Sequence, residues 1–489
     1  MKQNSQKNKK NLGFIFGLLG AIIVLLLPNP ESLSIEAQRA AAVFVWMGVW
    51  WATEAVPIAV TALIPLVCFP LLGVLDIEST AAPYANKNIY LFLGGFFLSI
   101  AIQKSNLHKR IALNILKYTG TGGKSIIGGF MLSAGLLSMW IMNTSTTIML
   151  LPIGLAIIAV VKESMGNLSK TDKVNFQVAL LLGIAYGANI GGMATLIGTA
   201  PNMALNGFME DNYNVSISFL DWMKVGLPLS MILLPITWWT LTTVSFPVNF
   251  KSSFETQRTI ENMRLDLGTI KTPEKRVFII FVITALLWVF RSPSDSWGIN
   301  KIPGLEGLTD PGIAMLCGLM LFLTPNGDNT HRNLLEWKDA QEGIPWGILI
   351  LFGGGLSLAF AAQSTGLAEW LGSLVPGGLN TIVLVFIFTT LVIFLTELTS
   401  NLATTATFLP IVAAIALQFD FNPLLLTASV ALAASCAFML PVATPPNAIV
   451  FGSELISVPQ MMKAGILINL IAIILVSLVG IYLIPAFLI

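Results

Sequence analysis

Ser125 to Val161 reads SIIGGFMLSAGLLSMWI MNTSTT IMLLPIGLAIIAVV: two apolar arms, Ser125 to Ile141 and Ile148 to Val161, around the polar knot Met142-Asn143-Thr144-Ser145-Thr146-Thr147. At about 1.5 Å per residue it is too long for one crossing of a hydrocarbon layer about 30 Å thick and too short for two. A re-entrant hairpin fits this length. Its tip would hold Asn143 and Thr144 at membrane depth, where irregular backbone is tolerated only against protein or a watery cavity. The alternative for this stretch alone is one tilted helix with its hydroxyls turned to a neighbour. A second stretch of the same kind stands near the other end, Thr399-Ser400-Asn401-Leu402-Ala403-Thr404-Thr405, again between apolar arms and again followed by Leu-Pro-Ile.

The whole chain is apolar in the same way. Of its 489 residues 55% are hydrophobic and only 10% charged, and the mean hydropathy is +0.80, which makes it a polytopic membrane protein with the lipid bilayer as its solvent. The net charge of +1 says nothing by itself, since in a membrane protein the division of basic residues between the two sides is what informs, and no nucleic-acid partner is expected. Cys68, Cys317 and Cys436 stand singly in apolar surroundings, which excludes a disulfide framework or a thiolate metal centre. The start, with four lysines before an apolar run, reads as an uncleaved first span rather than a signal peptide.

Apolar runs place spans near 12–28, 38–52, 57–75 and 88–116, then the first hairpin. A segment over 176–208 follows, interrupted at Gly198-Thr199-Ala200-Pro201-Asn202, and then a span over 222–246. Beyond the polar stretch Lys251 to Arg276 come spans near 277–292, 309–323 and 346–371. The second hairpin, about 380–416, precedes an interrupted span over 424–452 around Ala443-Thr444-Pro445-Pro446-Asn447 and a last span over 461–487. About eleven transmembrane helices and two re-entrant hairpins result. The corresponding domains are a tail and first span (1–36), a first repeat (37–250), a cytoplasmic linker (251–276) and a second repeat (277–489).

Basic residues orient this arrangement, because Lys and Arg gather in cytoplasmic loops. With the N-terminus inside, only Arg39, Lys87, Lys224, Arg291 and Lys301 of the 26 Lys and Arg fall elsewhere. Glu31, Glu36, Asp76, Glu78, Glu210 and Asp211 lie in outer segments, and the C-terminus is expected outside. The cell membrane is the expected location.

The two halves match each other. Leu91 to Leu107 and Leu351 to Leu367 share 8 of 17 residues at an offset of 260. Thr146-Thr147 matches Thr404-Thr405, Leu151-Pro152-Ile153 matches Leu409-Pro410-Ile411, and Thr199, Pro201, Asn202 and Gly207 match Thr444, Pro446, Asn447 and Gly452. Five crossings separate the hairpins, so the repeats run through the membrane in opposite senses. Inverted repeats with broken helices are a transporter architecture, with one site near the midplane. An enzyme finds little support: His108 and His331 fall in cytoplasmic segments, neither belongs to H-E-x-x-H, and no nucleophile elbow appears. A passive channel is disfavoured, because paired helix breaks imply a discrete site.

The hairpin tips, the two helix breaks and Trp51-Ala52-Thr53-Glu54-Ala55-Val56-Pro57 together resemble the divalent anion:sodium symporter family. That family includes sodium-coupled di- and tricarboxylate carriers, bacterial citrate/succinate antiporters and plastid 2-oxoglutarate/malate translocators. The resemblance implies an elevator-type transporter that works as a homodimer, uses no organic cofactor and carries small dicarboxylates of the succinate, malate, fumarate and 2-oxoglutarate class. It implies substrate binding by Asn143, Thr144 and Thr199 from one half and by Ser400, Asn401, Thr444 and Pro445 from the other. It also implies sodium sites at Ser138, Met142, Asn143 and Gly198, and at Thr396, Ser400, Asn401 and Ala443. Neutral donors and exposed helix-end N–H groups suffice for a dianion, and no buried cation is required.

Two departures bear on coupling. The first signature reads Met142-Asn143-Thr144, without its serine, and the second Ser400-Asn401-Leu402, without its threonine. Altered cation sites suit the exchanging branch, so dicarboxylate antiport is preferred here and sodium symport is the alternative. Leu402 also narrows one side of the site, which favours a dicarboxylate over citrate. Glu54 reads as a brace near a span end, whereas Glu397, three residues before Ser400, is a candidate for proton coupling.

Overall fold

The computed structural model describes residues 2–489 apart from 121, 165–167, 251–253, 293–296, 328–331 and 376–377. His331 and Lys251 lie outside the described residues. Helices make up the described chain, with one isolated bridge between Pro325 and Asn333. Seven of them are long and apolar enough to cross a membrane, and five shorter apolar helices accompany them.

The helices begin where the sequence supplies a cap. Side chains of Ser34, Asn86, Ser169, Ser218, Thr309, Asn380 and Asn422 accept from backbone N–H groups in the first turn that follows, satisfying donors that have no partner inside the helix. Pro201, Pro311, Pro423 and Pro445 sit in first turns, where a missing N–H costs nothing. Glu54 ends Ile35–Thr53 in the left-handed conformation, with its backbone N–H on Trp50 O.

Each expected span has a helical counterpart, but three are subdivided. The run over 57–75 is split into Ile58–Thr61 and Ile64–Leu72. The run over 88–116 breaks into Lys87–Lys104 and Leu107–Tyr118 at Asn106, whose φ is 62°, and that over 346–371 into Trp346–Ser364 and Leu367–Ser373 at Gly366, whose φ is 79°. The polar linker is more ordered than its composition implies, because it contains the helix Phe254–Asp266.

Lys170–Gly192 is the centre of the packing. Every residue from Phe176 to Gly192 is buried, and a helix apolar all round belongs in a protein interior. Gly123–Ser138 and Asn143–Ser164 both pack on it. Those two arms fold back on one another, since a Cβ at Gly154 would stand 3.8 Å from the Phe130 ring. The second pair of arms, Thr381–Thr396 and Asn401–Gln418, packs on Pro423–Ala434 in the same manner.

The short half-helices each pack against the opposite half of the chain. Pro445–Phe451 packs against Asn143–Ser164, and Ala200–Tyr213 packs against Asn401–Gln418. The far end of Ala200–Tyr213 is tied to the start of Lys87–Lys104. Lys87 pairs with Glu210, Asn86 Nδ2 donates to Asp211 Oδ1 at 2.7 Å, and Asn88 bonds both Glu210 and Asn206 at 3.0 Å.

Candidate substrate and cation site

Both hairpin turns are built by one hydrogen-bond pattern. A hydroxyl five residues ahead of the asparagine reaches its side-chain amide: Ser138 Oγ lies 2.6 Å from the end of the Asn143 amide, and Thr396 Oγ1 lies 2.9 Å from Asn401 Oδ1. Four residues beyond each asparagine a second hydroxyl returns to its carbonyl, Thr147 to Asn143 O at 2.9 Å and Thr405 to Asn401 O at 2.8 Å. Ser138, Thr147, Thr396 and Thr405 are all fully buried. Trp140 anchors the first turn, lying near-parallel to Phe219 and Trp288 at 5.9 and 6.5 Å, which stack on each other at 4.7 Å, and edge-on to Phe281 at 5.0 Å.

Asn143 faces the break in the central helix. The end of its amide lies 2.6 Å from Ser138 Oγ, 3.1 Å from Gly198 O and 3.3 Å from Ala188 O. With its nitrogen turned inward the amide faces three acceptors and is satisfied by them, which is the orientation this setting favours. Gly192 makes this approach possible, because a Cβ there would strike the Asn143 amide and one at Gly198 would strike Gly192 O. Ser138, Asn143 and Gly198 are therefore brought together as the resemblance implies. Met142 joins them only through chain continuity. Its carbonyl accepts from Thr146 N at 3.0 Å, and its side chain lines a small gap with Phe92, Phe96, Trp140 and Ile197.

In the second half, Thr396 Oγ1 bonds both Asn401 and Ala434 O, each at 2.9 Å. Ser400 is half-buried, and its carbonyl accepts from Thr404 N at 2.9 Å. Ala443 is buried within the break that ends at Pro445, and Pro445 itself is exposed. Leu402 is buried against Phe208, Phe352, Leu356, Ala406 and Leu409, so its side chain fills an apolar seam with Trp346–Ser364.

Thr199 and Thr444 occupy equivalent places, each at the N-cap of a short half-helix with φ −145° and −141°. Both are buried, and Thr144 is half-buried at the first tip. The asparagines three residues on hold the breaks closed. Asn202 Nδ2 donates to Thr195 O at 2.8 Å and to Met193 and Gly192 O at 3.3 and 3.4 Å, while Asn447 Nδ2 donates to Leu440 and Ala437 O at 3.0 and 3.1 Å. The amides add partners to carbonyls that the helix breaks leave without a full helical ladder.

The second break also has an anionic support. Glu397 Oε1 accepts from Phe438 N, Met439 N and Asn469 Nδ2 at 2.7, 2.8 and 2.7 Å, and its Oε2 accepts from Leu440 N at 3.0 Å. All four partners are donors, which is the setting of a fixed structural carboxylate. Asn189 then joins the halves: its Nδ2 donates to Thr444 Oγ1 at 3.1 Å and to Asn447 Oδ1 at 3.4 Å. Sequence reasoning gave no role to Asn189, Asn202, Asn447 or Asn469. An amide inside the otherwise apolar Gly187-Ala188-Asn189-Ile190-Gly191-Gly192 was the available signal for the first. Among the described residues no cluster of three His, Cys, Asp or Glu could hold a metal ion, so any cation would rest on neutral oxygens.

Comparison with known proteins agrees with this arrangement. Residues 8–489 match a family model described as the sodium:sulfate symporter transmembrane region. A protein named sodium-dependent dicarboxylate transporter SdcS from Staphylococcus saprophyticus is 40% identical over 489 residues, 99% of this chain and 93% of the relative. Its namesake from Staphylococcus aureus strain USA300 is 41% identical over 478 residues, 97% and 91% of the two chains. Two solved transporters share the fold at 13% identity. They are YdaH of Alcanivorax borkumensis, with a TM-score of 0.55 over 92% of this chain and 99% of that one, and MtrF of Neisseria gonorrhoeae, with 0.59 over 97% and 94%.

Proposed function

Because the chain belongs to the sodium:sulfate symporter family, whose divalent anion:sodium symporter motifs it carries, we propose that it moves small dicarboxylates across the cell membrane together with sodium. It is a transporter and not an enzyme. The observation that carries the sodium reading is the full-length likeness to relatives named as sodium-dependent transporters, and Ser138 Oγ, Gly198 O and Ala188 O, which accept from the Asn143 amide, are neutral oxygens of the kind such an ion takes. The names of the Staphylococcus relatives support both sodium and dicarboxylate.

The dianion lies between the two tips, with Asn143, Thr144 and Thr199 on one side and Ser400, Asn401, Thr444 and Pro445 on the other. Sodium takes the Ser138, Met142, Asn143 and Gly198 set and the Thr396, Ser400, Asn401 and Ala443 set. The paired arms are re-entrant hairpins of two inverted repeats within about eleven spans, the N-terminus is cytoplasmic and the C-terminus outside, and a homodimer moves its hairpins and broken helices as an elevator. Of the departures that favour exchange, Leu402 loses weight, since its side chain packs against Phe208 and Phe352 and removes no donor from the tip. Met142 still supports exchange as the second reading.

Purified protein in liposomes separates the two. Symport fills empty vesicles with labelled succinate under an inward sodium gradient, and more than two sodium ions per dianion make uptake respond to voltage. Uptake that needs unlabelled dicarboxylate inside, is indifferent to sodium and ignores the membrane potential would overturn symport and establish exchange.

A further inference from the structure

The two N-cap threonines differ in one respect that the repeat does not predict. Thr199 makes no side-chain capping bond, whereas Thr444 Oγ1 accepts from Asn447 N at 3.3 Å and from Asn189 Nδ2 at 3.1 Å. The direction of these bonds is fixed step by step. Asn447 Nδ2 faces the carbonyls of Ala437 and Leu440, so its Oδ1 faces Asn189. Asn189 must then present its nitrogen to both Asn447 Oδ1 and Thr444 Oγ1. A hydroxyl has two lone pairs and one proton. With both lone pairs of Thr444 engaged, its hydroxyl can act toward anything else only as a donor.

We propose that Asn189, a buried residue of the first repeat, is a positioning residue that presets the Thr444 hydroxyl as a hydrogen-bond donor for one carboxylate of the substrate. The inference rests on the reading that Thr444 touches substrate. A carboxylate is acceptor-only, and a donor already oriented needs no reorganisation when the anion arrives. The Thr199 end, whose hydroxyl is free to rotate, accommodates the other end of the substrate. Selectivity for a charged carboxylate therefore resides at the Thr444 end, and dicarboxylates of different length are tolerated at the Thr199 end.

The test uses N189L, N189D and T444V, singly and as N189L/T444V, in vesicles with labelled succinate. N189L removes the donor and is expected to raise KM about 3–10-fold with a maximal rate close to that of the unaltered protein. N189D is nearly isosteric but offers only acceptors, so it draws the Thr444 proton toward itself and raises KM further. In the T444V background N189L adds nothing, because no hydroxyl is left to orient. The dependence of uptake on sodium concentration is expected to stay put for N189L, while its melting midpoint falls modestly because Asn447 Oδ1 loses its donor, a loss shared by N189L/T444V. If N189D fails to reach the membrane, N189L carries the test. An unchanged KM in N189L, or an equal N189L effect with and without Thr444, overturns the proposal. Should T444V itself leave KM unchanged, the failure lies instead in the assignment of Thr444 to the substrate.

Discussion

Replacing Glu397 by Gln tests whether a charge inside the second break is structural. The carboxylate takes three donors on Oε1 and one on Oε2. A glutamine that sets its oxygen at the Oε1 position keeps the first three bonds without their charge and turns an NH2 toward the Leu440 N–H. One buried donor is then unmatched against another, at about 1–3 kcal/mol. Alanine strands all four donors at once and is expected to cost roughly 4 kcal/mol or more, in the range reserved for losing a buried network. For a chain this long the midpoint is expected to fall by about 1–3 °C in E397Q and further, by roughly 4 °C or more, in E397A. Thermal unfolding of purified protein in detergent, followed by loss of the monodisperse peak, measures both. The ordering matters more than the values. If E397Q melts like the unaltered protein while its uptake loses pH dependence, the carboxylate is a proton carrier and the structural account is refuted.

Three further outcomes are expected. Asn143→Ala removes the group on which Ser138, Gly198 and Ala188 converge, and vesicle uptake is expected to fall to background with expression retained. Asp310→Ala leaves Arg291, which Asp310 Oδ1 meets at 2.5 Å, and the Phe219 N–H without their partner; a loss of about 3–5 kcal/mol of stability is expected, read as a lower melting midpoint, and clearly less for Asp310→Asn. Burial holds His108, on the helix after Lys87–Lys104, down to about 4, with Lys109 adding to the effect and its bond to Ile102 O opposing it. Protonation therefore opposes folding: the stabilisation is complete above the ordinary value of 6.5 and is lost as pH falls toward 4, by roughly 3 kcal/mol. His108→Gln is expected to flatten that part of the stability curve relative to the unaltered protein.

What could be read in advance follows from what a local pattern records. The arms around Asn143 and Asn401 and the breaks at Thr199 and Thr444 announce themselves because polar residues and proline interrupt long apolar runs. Helix ends were legible to within a few residues for the same reason, since Ser, Thr and Asn caps sit beside those runs. The linker helix Phe254–Asp266 was not, because a polar composition hides helical order. Nor could the partners of Glu397 be read, as they lie 41 to 72 residues away and three of them are backbone N–H groups that any sequence supplies. Asn189 was invisible as a cross-repeat donor, because its acceptors belong to the other half of the chain. Leu402 misled in a definite way: its place in a motif pointed it at the tip, whereas the helix carries its side chain into the seam beside Phe352.

The crossed packing of the half-helices has a mechanical consequence. Neither half owns a complete wall around its own tip, since Pro445–Phe451 backs the first hairpin and Ala200–Tyr213 backs the second. A residue enlarged on either short helix presses first on the tip of the opposite half, so the two tips are coupled by packing even where their chemistry differs, with Glu397 supporting the second break and Asn189 reaching Thr444.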